Sequence, residues 1–173
     1  MSVHGIAKSI IARAPPEANV VLKSVTASGT GCAGNSASFV FQDDATVGFD
    51  SMIVDSTQVD KTKRCVITID LQLDPKWKYT INKATNLRGF IINEGGSYKV
   101  AYTVGGAASE VSSVITPTDE TGNWVAKSKS AGATSAYGGG VASIDVLLKL
   151  VPSGTKEAAV TIDSLDVMFE YSK

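Results

Sequence analysis

The sequence predicts an all-β protein: an antiparallel β-sandwich or jelly-roll-like fold built from about ten short strands. Apolar residues recur at every second position through most of the chain, and turn-forming residues separate these stretches. After Asn19, no window has the 3.6-residue apolar period of an amphipathic helix. A closed β-barrel would produce the same pattern and is the alternative.

The clearest strand is residues 64–73, where Cys65, Ile67 and Ile69 alternate with polar side chains. This alternation predicts one buried face and one solvent-exposed face, and it points Cys65 into the core. The same criterion predicts strands at 20–27, 46–54, 77–82, 87–92, 98–104, 110–115 and 142–150, with short strands around Phe39 and Trp124. A last strand, 160–171, slips in phase at 163–164, which indicates a bulge or a bend between sheets.

Residues 117–140 are the least regular stretch of the chain. They combine Ser- and Gly-rich segments with Trp124 and Tyr137, and end in three consecutive glycines at 138–140. Long irregular segments in compact domains are often functional. We expect a mobile loop that acts as a lid, with Trp124 at its tip and a glycine hinge; a poorly packed surface loop is the alternative.

Size and charge restrict the classes of function. The 173 residues suit one domain, which we place at 20–173 after a tail or pro-segment remnant at 1–19. The formal net charge is −1 and the lysines are scattered, so we expect no nucleic-acid partner. No apolar run reaches the length of a membrane-spanning helix.

The two cysteines, Cys32 and Cys65, are either separate buried thiols or one disulfide. With His4 as the only histidine, the chain cannot supply a Cys/His metal site. We expect the disulfide, because an otherwise cysteine-free β domain commonly carries such a bridge when it is exported.

The carboxylates Asp43, Asp44, Asp50 and Asp55 fall close together in sequence. They are either Ca²⁺ ligands or turn formers on a solvated strand face. Their spacing matches no EF-hand loop, so we favour turn formers and expect no metal site.

Catalytic constellations are largely excluded by the residues present. A Ser–His–Asp triad needs a histidine within the domain, and His4 lies in the N-terminal tail. No phosphate-binding or dinucleotide-binding glycine motif is present. We therefore expect no cofactor.

A set of short motifs resembles a known family. These motifs are Gly-Thr-Gly-Cys at 29–32, Arg-Cys-Val-Ile-Thr-Ile at 64–69, Pro-Lys-Trp-Lys-Tyr at 75–79 and Arg-Gly-Phe at 88–90. Over residues 20–102 the chain resembles the domain of unknown function 4360, a family of secreted fungal and bacterial proteins. The resemblance implies the β fold, export and a bridge between Cys32 and Cys65, but no activity.

The sequence departs from this family at three motif positions. Ala33 stands where the family usually has proline, Arg64 replaces asparagine before the cysteine, and Lys76 replaces glycine before the tryptophan. Cysteines that many members carry near the C-terminus are also absent.

Aromatic residues and one arginine are the candidate ligand-binding groups. Aromatic rings in a polar loop suit stacking on a sugar or closing over an apolar ligand, although rings on strands more often belong to the core. An arginine within an apolar strand either pairs with an aspartate or lines a pocket. The candidate set is Trp77, Arg88, Tyr98, Tyr102, Trp124 and Tyr137.

Two functional hypotheses follow. The first is a secreted, non-catalytic protein that binds a glycan or a protein at a cell wall or surface. The alternative is a small cofactor-free enzyme that binds an apolar natural-product intermediate in a cavity and promotes a cyclisation or a hetero-Diels–Alder cycloaddition, which needs positioning rather than a nucleophile.

Overall fold

The computed structural model describes residues 14–34, 36–41, 45–116, 121–151, 154 and 156–173. One short 3-10 helix, Pro16–Ala18, precedes the strands. The strands are β1 (Val21–Ser28), β2 (Ala37–Phe41), β3 (Ala45–Phe49), β4 (Ile53–Asp55), β5 (Thr62–Gln72), β6 (Lys78–Ile81), β7 (Ala84–Ile92), β8 (Gly96–Val104), β9 (Ala107–Ile115), β10 (Thr121–Lys129), β11 (Ala133–Thr134), β12 (Gly139–Leu150), β13 (Ala159–Thr161), β14 (Ser164–Val167) and β15 (Phe169–Ser172). The predicted all-β class is confirmed.

Two antiparallel sheets make up most of the molecule. The five-stranded sheet has the order β1-β5-β12-β8-β9. The seven-stranded sheet has the order β2-β3-β14-β7-β13-β4, with β10 paired along β7. A small third sheet, β11-β6-β15, completes the described strands. Each sheet is open, so the predicted sandwich is confirmed and the barrel alternative is wrong.

The core lies between the inner faces of the two large sheets. On β5, Cys65, Ile67 and Ile69 are buried while the residues between them are partly exposed. Leu87 and Ile91 of β7 are among the buried residues of the opposite sheet. Burying side chains of this size stabilises the fold by about 1.5–3 kcal/mol each.

Cys32 and Cys65 form a disulfide, with 5.4 Å between their Cα atoms. It joins the loop after β1 to the buried face of β5. The glycines of the 29–32 motif allow the close approach: a Cβ on Gly29 would lie 2.3 Å from the Arg64 carbonyl oxygen, and one on Gly31 would lie 1.9 Å from the Met52 sulfur. The Gly31 N–H donates to the same Arg64 carbonyl oxygen at 2.8 Å.

Two predicted strands are divided in the structure. Residues 46–54 form the separate strands β3 and β4, and 160–171 form β13, β14 and β15. The phase slip at 163–164 falls at the break between β13 and β14, where the Asp163 N–H donates to the Arg88 carbonyl oxygen of β7 at 2.7 Å. These divisions add three strands, and the short strand β11 was not predicted, so the structure has more strands than the ten or so expected.

The prediction of a mobile loop at 117–140 is wrong for most of that stretch. Residues 117–120 lie outside the described residues, but β10 pairs with β7 through nine consecutive positions from Thr121 to Lys129. Trp124 points inward from this strand and is 7% exposed, so it is not the tip of a lid. Its inward neighbours along the strand are Ala126 and Ser128, which are too small or too polar to reveal the alternation in the sequence.

The helix in the described part of the chain is too short to cross a membrane.

Candidate functional site

An exposed tyrosine lies beside a glycine turn at one end of the five-stranded sheet. Tyr137 is 60% exposed and precedes Gly138, Gly139 and Gly140, where β12 begins. These four residues, with Lys23, Asp70, Leu71 and Gln72, line an open cleft of about 400 Å³. We call this cleft and its lining the Tyr137 platform.

Exposed apolar side chains border the polar side chains of the platform. Asp70 and Gln72 lie on the outer face of β5, and their cross-strand neighbours are Val141 on β12 and Val21 on β1. These two valines are 50% and 47% exposed. Exposed apolar surface therefore borders the carboxylate and the amide of the platform.

The glycine turn is fixed by hydrogen bonds on its inner side. The Gly138 N–H donates to the Trp77 carbonyl oxygen at 2.8 Å, and the Leu73 N–H donates to the Gly138 carbonyl oxygen at 2.9 Å. The buried Tyr79 hydroxyl donates to the Gly140 carbonyl oxygen at 2.9 Å. The expected glycine hinge is thus an anchored turn.

The three glycines of the turn serve two purposes. A Cβ on Gly139 would lie 2.2 Å from the Leu71 carbonyl oxygen, so this position packs against β5. Gly138 and Gly140 have positive φ values and face open space. They leave bare backbone next to the Tyr137 ring, where a ligand can approach closely.

Two lysines contact the aromatic rings at this end of the sandwich. The Lys78 Nζ lies 5.2 Å from the centroid of the Tyr137 ring. The Lys173 Nζ lies 5.3 Å from the centroid of the half-buried Trp77 ring. Such cation–π contacts orient the rings. Trp77 and Tyr137 are the two predicted site residues that this end of the fold brings together.

Tyr98 and Trp124 form a second pair, away from the platform. Their rings stack inside the open edge of the sandwich, and both are nearly buried. They contribute to an open cleft of about 380 Å³ between β9 and β10. The pair joins the inner faces of the two sheets.

Tyr102 and Arg88 lie apart from both pairs. Tyr102 is fully buried, and its hydroxyl contacts the Thr85 hydroxyl at 2.6 Å and accepts from the Asn82 amide at 3.2 Å. Burial raises the pKa of this phenol. Arg88 is exposed on the outer face of the seven-stranded sheet. The structure therefore does not unite the six predicted residues in one site.

The aspartate cluster behaves as turn formers where the structure describes it. Asp55 accepts hydrogen bonds from the backbone and side chain of Thr57, which lower the pKa of its carboxyl. Asp43 and Asp44 lie outside the described residues, and Asp50 is exposed. Among the described residues, no group of three metal-ligating side chains converges.

Sequence reasoning identified Tyr137 but missed the other side chains of the platform. Lys23, Asp70 and Gln72 belong to strands that are remote from Tyr137 in sequence, and only the sheet order brings them together. One available signal was Val141, an apolar residue directly before the predicted strand 142–150, at a position that faces outward in β12.

A family model with the description "Domain of unknown function (DUF4360)" matches residues 18–172, beyond the 20–102 that the motifs covered. No curated protein matches the sequence.

Solved structures with similar folds include TmCBM61 in complex with β-1,4-galactotriose. It is 15% identical, with 86% of this chain and 90% of that chain covered and a TM-score of 0.40. Another is CBM28, a carbohydrate-binding module specific for non-crystalline cellulose. It is 6% identical, with 83% of each chain covered and a TM-score of 0.39.

Proposed function

This chain belongs to the family described as Domain of unknown function (DUF4360), and we propose that it is an extracellular, non-catalytic protein that binds carbohydrate at the Tyr137 platform. The observation that carries the proposal is the exposed Tyr137 ring beside bare glycine backbone and a row of polar side chains.

Carbohydrates have the surface chemistry that this platform complements. A sugar ring presents C–H groups on its faces and hydroxyls around its rim. An exposed tyrosine ring offers a flat, rigid apolar surface at low cost in conformational entropy. Because the turn below Tyr137 is held by three hydrogen bonds, little further ordering is needed on binding.

The polar side chains of the platform suit hydroxyl groups. The Asp70 carboxylate accepts hydrogen bonds, the Lys23 ammonium donates them, and the Gln72 amide does both. The mixture of one acid and one base favours a neutral ligand over a highly charged one. Val21 and Val141 then contact the apolar parts of neighbouring sugar units.

The lining of the platform favours binding over hydrolysis. Hydrolysis of a glycosidic bond generally uses two carboxyl groups on either side of the bond. Asp70 is the single carboxylate in the described lining. The described clefts all open to solvent, so they do not favour the alternative of a cofactor-free cyclase, which needs an enclosed chamber.

An extracellular site of action is supported by the disulfide. The Cys32–Cys65 bond joins two fully buried sulfurs, and bonds of this kind persist in oxidising compartments. Polysaccharides of cell walls are found in the same surroundings.

The proposal is tested by affinity gel electrophoresis through neutral polysaccharides: cellulose derivatives, xylan, galactan, mannan and β-1,3-glucan. The wild-type protein should be retarded by at least one of them. The Tyr137→Ala variant should lose at least about tenfold in affinity, or about 1.4 kcal/mol.

Two further variants separate ring stacking from other effects. Tyr137→Phe keeps the ring and should retain most of the affinity. Val125→Ala removes an exposed side chain from the opposite sheet and should bind like the wild type. Equal retardation of wild type and Tyr137→Ala, or no retardation by any polysaccharide, would refute the proposal.

A further inference from the structure

The five-stranded sheet ends in a long strand with an open edge. Strand β9 pairs with β8 through nine consecutive positions, without a bulge. Within the described residues no other strand pairs with its free edge, although β10 and β11 lie nearby. It contains no proline and no lysine, which are residues that commonly protect such edges from pairing with another chain.

The register of β9 shows which backbone groups point outward. The two-residue turn at Gly105 and Gly106 makes Val104 and Ala107 the first hydrogen-bonded pair of the hairpin. Hydrogen-bonded and non-bonded pairs alternate along an antiparallel ladder. The residues whose N–H and C=O groups point away from β8 are therefore Ala108, Glu110, Ser112 and Val114.

Clefts flank this edge on both faces of the sheet. On the outer face, a cleft of about 360 Å³ crosses β9, β8 and β12, with Val114 and Leu147 as its apolar members. On the inner side, the cleft between β9 and β10 is more polar and contains Ser113, Ser128 and Lys127. Val114 lines both clefts and is 72% exposed.

Positive charge surrounds the two clefts. Lys99 is partly neutralised by Glu110, at 3.2 Å. In the described part of the chain, neither Lys127 nor Lys149 has an ion-pair partner. An acidic ligand would therefore be attracted to this edge.

We infer that β9 accepts an extended, acidic polypeptide segment, which adds to the sheet as a sixth strand. The outward N–H and C=O groups supply the main-chain hydrogen bonds of this pairing. Because side chains alternate along a strand, one face of the segment is apolar and lies on Val114, and the other is polar or acidic and faces Lys127. This site is separate from the Tyr137 platform and does not depend on carbohydrate binding.

A single segment fits this edge better than a second copy of the chain. A second copy paired through β9 would bring its own β10 to the same edge, and this strand carries the exposed Lys127 and Lys129. Like charges would then approach each other. A peptide strand avoids this repulsion.

The test uses a fluorescein-labelled nonapeptide, Glu-Val-Thr-Val-Glu-Val-Thr-Val-Glu, with fluorescence anisotropy as the readout. The full-length protein should bind it, and the affinity should fall as NaCl is raised. The same peptide N-methylated at alternate residues, and a version with lysine in place of glutamate, should each bind at least tenfold more weakly.

Matched variants locate the binding to β9. Ser112→Pro removes one outward N–H, which does not hydrogen-bond to β8. It should therefore weaken binding of the peptide at least tenfold. Ser112→Ala keeps the N–H and should bind like the wild type. Lys127→Glu should weaken binding several-fold. Circular dichroism and thermal unfolding check that Ser112→Pro folds.

Several results would overturn the inference. One is a failure of the acidic peptide to bind at up to about 1 mM, which corresponds to a binding free energy weaker than about −4 kcal/mol. Another is equal binding of the N-methylated and unmodified peptides. A homodimer in sedimentation that Ser112→Pro dissociates would also overturn it, because a second copy would then occupy the edge. If Ser112→Pro does not fold, the affinities of the N-methylated and lysine peptides for the wild-type protein still test the inference.

Discussion

The ring of Tyr98 stacks on the indole of Trp124, with centroids 6.0 Å apart and ring planes 12° apart. Tyr98 belongs to β8 of the five-stranded sheet, and Trp124 to β10 of the seven-stranded sheet. The indole N–H also donates to the Thr161 carbonyl oxygen at 3.0 Å. This pair therefore links the two layers of the sandwich at their open edge.

Removing the indole should destabilise the fold. Trp124→Ala leaves a cavity between the sheets and the Thr161 carbonyl oxygen without its donor, so the free energy of unfolding should fall by about 3–5 kcal/mol. Urea unfolding followed by circular dichroism measures this loss. Val125→Ala, at the adjacent outward position, should change stability by less than about 0.5 kcal/mol. A loss below about 1 kcal/mol for Trp124→Ala would restore the interpretation of Trp124 as a loop residue.

A glycine below the indole should tolerate no side chain. A Cβ on Gly89 would lie 1.9 Å from the Thr161 carbonyl oxygen and 2.5 Å from the Trp124 Nε1. Gly89→Ala should therefore cost more than about 2 kcal/mol or prevent folding. Gly122→Ala is the matched control, because Gly122 lies in the paired strand β10 and faces open space. Its thermal midpoint should equal or exceed that of the wild type, and a similar loss in both variants would contradict the packing described here.

The disulfide should contribute to the stability of the sandwich. It closes a loop with a sequence separation of 33 residues, and a bond across such a loop contributes about 3–4 kcal/mol. The double variant Cys32→Ala/Cys65→Ala should show this loss in urea unfolding. Alkylation of the unreduced native protein, followed by mass spectrometry, should label no thiol; two labelled thiols would show that the bond is absent.

Buried and half-buried tyrosines should make the protein unstable at alkaline pH. Burial raises the pKa of Tyr79, Tyr102 and Tyr171 above the ordinary value of about 10. A phenol with a raised native pKa stabilises the fold fully below its unfolded pKa, and this contribution is lost as the pH rises above that value. The free energy of unfolding should therefore fall between about pH 10 and 12.

The measurement combines urea unfolding at several pH values with absorbance at 295 nm, which follows tyrosine ionisation. Ionisation of all five tyrosines near pH 10 without loss of structure would contradict the burial described here.

The regular strands could be predicted because each has one buried and one exposed face. In β5 and β12 the buried positions hold large aliphatic residues, so the period of two is visible in the sequence. In β10 the inward positions include Ala126 and Ser128, and the strand is held by pairing with β7 and by Trp124. Composition alone cannot reveal a strand that forms because it pairs with neighbouring strands.

The candidate site was harder to predict than the fold. Its parts come from β1, β5 and the turn before β12, and only the strand order β1-β5-β12 places Val21, Gln72 and Gly139 side by side. Sequence spacing contains no information about this neighbourhood. The three glycines at 138–140 suggested a hinge, but their inner hydrogen bonds fix them as a turn.

The most direct test of the carbohydrate-binding proposal is an NMR titration with an oligosaccharide of the polysaccharide that retards the protein in gels. The largest shifts of backbone amide signals should occur at Lys23, Gln72 and Tyr137 and at the glycines 138–140, and Tyr137→Ala should abolish them. Shifts confined to β9 and β10, or no shifts at millimolar oligosaccharide, would contradict the assignment of the Tyr137 platform as the binding site.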